Sequence, residues 1–350
     1  MPNPLLLRSC TYTPLARTPW GGNRLIREFG KPPPPGVTET PKVGEAWDLS
    51  LGPEFPSQTI DGLSLPDVIS RDPEGWLGDP LAPQLLLKWI DAEEPLSVQI
   101  HPRPDDPKLP PHESGKPEAW YVIASEKGGW IGFGWQPGAS PDVIRKAALQ
   151  GTLGDWLMRI EVEPGDLFTV PPGVPHAIGG GVTLIEPQVV WQGKAGVTYR
   201  YFDWNRRYDE RGRLDERGIP RPLHLDRALE VTDWNAQGET FLNRSFRRLG
   251  RPNPSGPLMW QVLIDRDAPK GALPFDYLQV ALLSGCGTMT LCSSGRLAAL
   301  TVISGHLELQ GDGYVIVAKG GQTIALPAHH HPLHLFGKHL WALWASGRGP

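Results

Sequence analysis

The chain has 350 residues, enough for one large domain or two domains of ordinary size with substantial hydrophobic cores. Its formal net charge of −4 at pH 7 argues against the broad basic surface that nucleic-acid or anionic-membrane binding usually needs. Its 3 cysteines have no CxxC spacing, which argues against a disulfide framework or a cysteine-rich zinc site.

These properties favour a cytoplasmic protein that acts on a small molecule, with neither nucleic acid nor a membrane as partner. The first residues, MPNPLLLRSC, hold too short an apolar stretch for a signal peptide. No apolar run approaches the length of a membrane span. A monomer and a homodimer are both compatible with the sequence.

Short runs of alternating apolar residues, punctuated by glycine and proline, predict many strands joined by turns. The strand candidates in chain order are residues 96–101, 119–125, 166–170, 182–191, 197–204, 297–304 and 323–328. Helices are predicted over residues 140–160, with Ser140 as N-cap, and over residues 225–234. The pattern therefore predicts a mostly β fold, with two β-barrels or sandwiches and a few flanking helices.

Proline-rich segments predict loops at residues 31–36, 101–115 and 251–257, and we place a domain boundary at the last of them. The expected domains are a catalytic domain over residues 1–250 and a second β domain over residues 258–350. A weak echo between GDLFTVPPGVPH and GQTIALPAHHHP supports two units of similar build. The second unit lacks a Gln-x-His pair, so we expect it to hold no metal.

The stretch SVQIHPRPD, which begins at Ser97, raises the first question of function. Side chains alternate between the two faces of a strand, so Ser97, Gln99 and His101 would project to one side. Polar groups inside a β-barrel need partners, and a metal ion with a sugar-sized ligand is one way to supply them.

Two further residues complete a candidate metal site. Glu118 begins the next strand, and His176 follows a Pro-Pro-Gly turn. With Gln99 and His101 they make a set of two imidazoles, one carboxylate and one amide oxygen, which suits Zn²⁺ or another divalent ion. Each residue alone has an ordinary structural explanation, and only the grouping favours a metal.

The chain resembles type I phosphomannose isomerase (mannose-6-phosphate isomerase) of the cupin superfamily, in its short bacterial form. The motifs that carry the resemblance run in family order over residues 1–230, about two thirds of the chain. They are PWGG, GEAWDLS, LLKWIDAEEPLSVQIHP, GKPEAWY, PGDLFTVPPGVPHAI, IEPQ and TYRYFDWNR.

The resemblance implies two cupin-type jelly-roll units and a zinc-dependent interconversion of mannose 6-phosphate and fructose 6-phosphate, with one Zn²⁺ per chain. It places the metal ligands on Gln99, His101, Glu118 and His176. It also places an active-site arginine on Arg200, a lysine beside the metal glutamate on Lys116, and a second acid on Glu186. Trp20 enters as a substrate-binding candidate through the PWGG motif.

The proton-transfer base is expected to be Glu186, because apolar neighbours on its strand could raise its pKa toward neutrality. Arg200 is assigned to an enolate or hydroxyl oxygen, with the substrate phosphate as the competing assignment. Ser97 and Lys116 could reach the phosphate, but no glycine-rich phosphate loop is present. The reaction would pass through a cis-enediol(ate).

Other functions remain open at this point. Two histidines and a glutamate could hold iron for oxygenation, and a related cupin could isomerise glucose 6-phosphate. The alternative from a different class is a non-catalytic sensor of sugar phosphates. A sensor would not need a carboxylate for proton transfer, which favours an enzyme.

Overall fold

The computed structural model describes residues 1–34, 36–37 and 41–348, so Pro35 of the first proline-rich loop and the last two residues of the second expected domain lie outside the described residues. The strands are β1 (Leu5–Leu6), β2 (Glu45–Leu49), β3 (Gln84–Ala92), β4 (Val98–Ile100), β5 (Glu113–Ser114), β6 (Glu118–Ser125), β7 (Trp130–Trp135), β8 (Leu157–Glu161), β9 (Asp166–Val170), β10 (His176–Ile178), β11 (Val182–Val190), β12 (Ala195–Gly196), β13 (Tyr199–Phe202), β14 (Phe246–Arg248), β15 (Met259–Asp265), β16 (Leu273–Pro274), β17 (Leu278–Leu291), β18 (Ala298–Gly311), β19 (Tyr314–Lys319), β20 (Thr323–Leu326) and β21 (Leu333–Gly347). The helices are α1 (Arg24–Arg27), α2 (Leu65–Ile69), α3 (Pro73–Leu77), α4 (Pro141–Gln150), α5 (Leu225–Glu230) and α6 (Gly238–Ser245).

Two sheets form a sandwich in the N-terminal part of the chain. One has the order β14-β9-β6-β11-β3-β2 and the other has the order β13-β4-β10-β7-β8. Apolar side chains from both sheets, such as Trp120 and Phe133, share one buried cluster between them. The inner faces of the two sheets therefore enclose the space in which the predicted site residues lie.

A third sheet, made largely of residues after 258, covers the outer face of the six-stranded sheet. Its order is β1-β20-β18-β21-β17-β15-β16, and β19 pairs with β18. Trp89 of β3 and Leu343 of β21 belong to one cluster between these sheets. Strand β3 is consequently buried along its whole length, which holds its inward-facing side chains in fixed positions.

The expectation of a mostly β fold with a few flanking helices is confirmed. Within the described residues the strands form open, layered sheets and no closed barrel. Strand β1 pairs with β20, so the first residues of the chain join the C-terminal sheet. The division at residues 251–257 stays a prediction.

The predicted helix over residues 140–160 is correct only in its first half. Ser140 accepts a hydrogen bond from the Val143 amide as N-cap, and the helix ends at Gly151, whose φ of 76° suits a glycine C-cap. Residues 157–161 instead form β8, because pairing with β7 outweighs their local helical pattern. The second predicted helix is also shorter, spanning Leu225–Glu230.

The helices in the described parts of the chain are all too short or too polar to cross a membrane.

Candidate active site

One row of side chains crosses the five-stranded sheet. His176 on β10 and Arg200 on β13 are the cross-strand partners of Gln99 on β4. Phe133, the partner of His176 on the other side, packs in the cluster between the sheets. Since opposed residues of antiparallel strands project to the same face, Arg200, Gln99 and His176 all face that inner space.

The two predicted histidine ligands are held in one tautomer by the backbone. His101 Nδ1 lies 2.9 Å from the Val197 carbonyl oxygen, and His176 Nδ1 lies 2.9 Å from that of Val174. Each Nδ1 therefore carries the proton and donates it, which leaves the lone pair on Nε2. Both Nε2 atoms are buried and have no hydrogen-bond partner, as expected for nitrogens that coordinate a metal.

A tight turn brings the histidines together. Gly173 has a φ of 82°, a conformation that side-chain-bearing residues rarely adopt. Its amide donates to the His101 carbonyl at 2.9 Å. The Pro-Pro-Gly segment is thereby fixed against the end of β4, and the imidazole rings of His101 and His176 lie 4.8 Å apart between centroids.

Glu118, at the start of β6, completes a buried donor set. Its Oε1 lies 3.1 Å from His101 Nε2, and its Oε2 has no hydrogen-bond partner. One donor atom from each of Glu118, His101 and His176 lies within 4.8 Å of the others. Two imidazole nitrogens and a carboxylate in this arrangement fit a divalent ion such as Zn²⁺.

The charges of this site favour metal binding. Burial, reinforced by Lys116, lowers the pKa of His101, and burial together with His101 lowers the pKa of His176 to about 3. Burial opposes ionisation of Glu118, but Lys116, whose Nζ lies 2.8 Å from Oε1, and the two histidines hold its pKa well below the usual range. Neutral imidazoles and a carboxylate are the forms that metals bind.

Gln188 on β11 is paired with Glu118 in register and donates its side-chain amide to Glu118 Oε1. The side-chain carbonyl oxygen of Gln188 is buried without a partner.

Ser97 lies on the side of Gln99, with the Ser97 hydroxyl 3.5 Å from the Gln99 side-chain oxygen. Coordination by Gln99 stays a prediction, supported by its place beside His176.

A second group of charged residues lies on the facing sheet. Glu186 on β11 accepts a hydrogen bond from Trp120 Nε1 at 2.8 Å, and its Oε1 lies 3.4 Å from Lys88 Nζ. The Trp120 ring also packs edge-on against His176, with centroids 5.2 Å apart. Glu186 is thus one side chain removed from the metal donors.

Burial raises the pKa of Glu186 to about 8, with a further contribution from the charge of Glu118, against the opposing effect of Lys88. Burial would lower the pKa of Lys88, but Glu45, Glu186 and Glu118 together outweigh burial and raise it. A carboxyl group that titrates near neutral pH can both accept and return a proton at working pH. The expected elevation of the Glu186 pKa therefore appears in the structure.

Comparison with curated proteins identifies the family. The chain is 34% identical over 241 residues to the mannose-6-phosphate isomerase of Streptococcus mutans, covering 66% of this chain and 68% of that protein. It is 32% identical over 317 residues to the mannose-6-phosphate isomerase ManA of Bacillus subtilis, covering 88% and 89%. The chain belongs to the mannose-6-phosphate isomerase family. No family model matches it.

Solved structures of mannose-6-phosphate isomerases share the fold. The Bacillus subtilis enzyme superposes with a TM-score of 0.72 at 22% identity, covering 99% of both chains. A zinc-bound mannose 6-phosphate isomerase superposes with a TM-score of 0.67 at 13% identity, covering 95% of this chain and 97% of that one. The layered β architecture of this family member is therefore that of the mannose-6-phosphate isomerases.

Most of the predicted site residues come together in this mannose-6-phosphate isomerase fold. Lys116 contacts Glu118, Glu186 accepts a hydrogen bond from Trp120, and Arg200 lies beside Gln99. Trp20 is different, because it is 4% exposed and packs within the hydrophobic cluster between the sheets. Its contact with substrate stays a prediction.

Sequence reasoning missed Lys88 and Glu45. Lys88 Nζ lies 4.6 Å from the ring centroid of Trp47, and Glu45 Oε2 accepts from Trp47 Nε1 at 2.9 Å. A signal was available, since LLLKWI places a lysine inside an otherwise apolar run. Lysine is almost never buried unless it is paired, so such a position predicts a buried acid nearby.

Proposed function

We propose that this chain is a zinc-dependent aldose–ketose isomerase that interconverts mannose 6-phosphate and fructose 6-phosphate, with one zinc ion per chain. The observation that carries the proposal is the buried donor set of His101, Glu118 and His176 next to a carboxyl group, Glu186, that titrates near neutrality. Gln99 is the fourth protein ligand. Membership of the mannose-6-phosphate isomerase family supplies the substrate, and the oxygenase and sensor alternatives are not favoured.

Zinc, when bound, supplies a positive centre that polarises the oxygens at C1 and C2 of the open-chain sugar. The residues around it prepare the site. Two backbone carbonyls fix the histidine tautomers, and Lys116 keeps Glu118 ionised. The donor set is therefore preorganised before substrate enters.

Glu186 is the proton carrier. It removes the proton from C2 of the open-chain aldose and returns it to C1 of the cis-enediol(ate), while the hydroxyl proton moves from O2 to O1. The Trp120 indole and Lys88 hold the carboxylate in place through the contacts at 2.8 and 3.4 Å. Because one group serves as base and then as acid, a pKa near the working pH suits both steps.

Arg200 donates to the substrate oxygens next to the metal. Its place opposite Gln99 aims the guanidinium at the inner space, and its Nε is buried without a partner. Lys116 and Ser97 line the same space and bind hydroxyl oxygens of the substrate near the metal. Charge-assisted hydrogen bonds of this kind strengthen as negative charge develops in the transition state.

A cytoplasmic location without nucleic-acid or membrane partners is part of the proposal, and the oligomeric state is a monomer or a homodimer. The location is supported by Cys10, Cys286 and Cys292, which are all free thiols in the fold.

The test is a comparison of substrates with zinc-loaded protein. We expect formation of fructose 6-phosphate from mannose 6-phosphate to exceed its formation from glucose 6-phosphate by at least tenfold in kcat/KM. Equal turnover of the two aldoses, or none of either, would contradict the proposed substrate.

A further inference from the structure

A series of contacts connects Arg200, which lies opposite Gln99 in the five-stranded sheet, with Glu186 in the six-stranded sheet. Arg200 Nη1 donates to the Pro222 carbonyl at 3.0 Å. Arg221, which precedes Pro222 in the chain, donates from Nη2 to the Arg17 carbonyl at 3.0 Å. The Arg17 guanidinium lies 5.6 Å from the Trp47 ring centroid. Trp47 contacts Lys88, and Lys88 ends the series at Glu186.

The two ends of this series differ in charge. At one end, the Glu186 carboxyl group accepts a hydrogen bond from Trp120, whose ring packs against the metal donor His176. At the other end, Arg200, Arg206 and Arg221 lie around one buried acid, Asp203, and the backbone carbonyl of Arg17 accepts from Arg221.

Asp203 does not neutralise these arginines. Arg206 Nη2 donates to one carboxylate oxygen of Asp203 at 2.8 Å, while Arg221 Nε lies 3.9 Å from the other carboxylate oxygen. That second oxygen is buried and has no hydrogen-bond partner. Among the described residues of this region, Arg200 forms no ion pair with a carboxylate.

Arg200 and Arg221 also repel each other. Burial lowers the pKa of the Arg200 guanidinium, and the nearby charge of Arg221 lowers it further. The side chain of Arg221 is only 17% exposed, so water screens this repulsion incompletely. Holding half-buried like charges together costs free energy that an anion placed between them would recover.

We propose that Arg221 and Arg17 bind the phosphate group of the substrate, with Arg200 between the phosphate and the reacting carbons. The inference rests on the proposed function, because it assigns one end of the same sugar phosphate. A six-carbon sugar phosphate has a carbonyl and hydroxyl at one end and a dianion at the other, and the dianion suits the arginine end of this series. Planar guanidinium groups bind phosphate oxygens in pairs.

Arg17 supplies the exposed edge of this phosphate site. Its side chain is 44% exposed and is paired with Glu54 at 2.8 Å, while its guanidinium lies 5.2 Å from the Phe55 ring centroid. An exposed ion pair of this kind contributes little to stability. Arg17 can therefore turn from Glu54 to an arriving phosphate at small cost, and its loss should leave the fold intact.

The experiment compares Arg221→Gln and Arg17→Gln with Arg211→Gln, a control on the same loop whose side chain is exposed. We expect KM for mannose 6-phosphate to rise about 10- to 100-fold in Arg221→Gln and about 3- to 10-fold in Arg17→Gln, the range for loss of one charge-assisted hydrogen-bonding partner. The value of kcat should change less than about threefold, because neither side chain contacts the reacting carbons.

Inhibition by inorganic phosphate gives a second readout that needs no knowledge of the sugar. Its inhibition constant should rise in both variants in parallel with KM and stay at the wild-type value in Arg211→Gln. Variants that keep the wild-type KM and phosphate inhibition would overturn the phosphate assignment while leaving the isomerase intact. A wild-type protein that does not turn over mannose 6-phosphate would instead contradict the proposed function. Zinc content is measured in all variants, and equal values show that a rise in KM reflects loss of phosphate binding rather than loss of folding. Arg17→Gln changes an exposed side chain and is the variant least able to disturb the fold.

Discussion

Glu186 on β11 and Lys88 on β3 are direct cross-strand partners, with the carboxylate oxygen and the ammonium nitrogen 3.4 Å apart. Both side chains are almost fully buried. The pair is therefore fixed by the register of two central strands rather than by a mobile loop. This register lets the fold hold a carboxyl group of raised pKa beside the metal donors.

The role of Glu186 as proton carrier predicts a specific kinetic defect. Glu186→Gln keeps the shape and the Trp120 hydrogen bond but cannot take up a proton. We expect kcat to fall about 10²- to 10⁴-fold, the usual contribution of a general acid–base group. KM and zinc content should stay near wild type, and Glu210→Gln, an exposed control, should keep full activity. Turnover within threefold of wild type would remove Glu186 from this role.

The raised pKa of Glu186 also predicts how the stability of the metal-free protein depends on pH. Its pKa is about 8 in the folded chain and has a reference value of 4.5. Between these values the unfolded chain releases the proton while the folded chain keeps it, so folding loses stability as pH rises. In chelator, the melting temperature of Glu186→Gln relative to wild type should climb from pH 5 to pH 8 and then level off. A difference that is flat across this window would contradict the shifted pKa.

The donor set predicts that loss of one histidine abolishes zinc binding. In His176→Asn, zinc content should fall from about one ion per chain to a small fraction, because His101 and Glu118, with the weaker amide ligand Gln99, hold the ion poorly once the second imidazole is lost. The melting temperature of the wild type should rise when zinc is added, since a ligand of the native state stabilises it. That rise should vanish in His176→Asn and persist in the exposed control His306→Asn. Full zinc content in the His176 variant would place the ion elsewhere.

A buried ion pair links the N-terminal part of the chain to the C-terminal sheet. Lys31 Nζ lies 2.7 Å from Asp48, both side chains are fully buried, and Asp48 also accepts from Thr323. Lys31→Met leaves Asp48 unpaired in the interior and should cost about 3–5 kcal/mol in urea unfolding. Arg145→Met, which breaks an exposed pair with Asp226, should cost less than about 1 kcal/mol.

The double variant Lys31→Met with Asp48→Leu tests the physical cause. Because it removes both charges, it should recover much of the stability that Lys31→Met loses. A double variant no more stable than the single one would show that packing around Lys31, rather than the unpaired charge, is responsible.

Strand alternation was enough to predict part of the site. The period of two in SVQIHP places Gln99 and His101 on one face, and both lie where that pattern requires. The register between distant strands was not predictable, because His176 and Arg200 reach Gln99 only through pairing that local sequence does not encode. Ligand chemistry had grouped His176 with Gln99 before the structure did, and the family resemblance had added Arg200.

Strand lengths and the buried lysine show where local patterns fail. Residues 297–304 predicted a short strand, but β18 continues to Gly311 through polar residues that face water on one side. Residues 157–161 carry a helical pattern and form a strand, since β7 offers a pairing edge. Lys88 was absent from the predicted site, because its partners Glu45 and Glu186 come from two other strands.

The central claim is that the isomerase depends on a metal held by the His101, Glu118 and His176 donor set. The most direct test is a coupled assay for fructose 6-phosphate formed from mannose 6-phosphate, with protein as purified, after chelation, and after zinc is restored. We predict turnover that chelation abolishes and zinc restores in the wild type, with no recovery in His176→Asn. Turnover that survives complete removal of metal, or its absence from folded and zinc-loaded wild type, would contradict the claim.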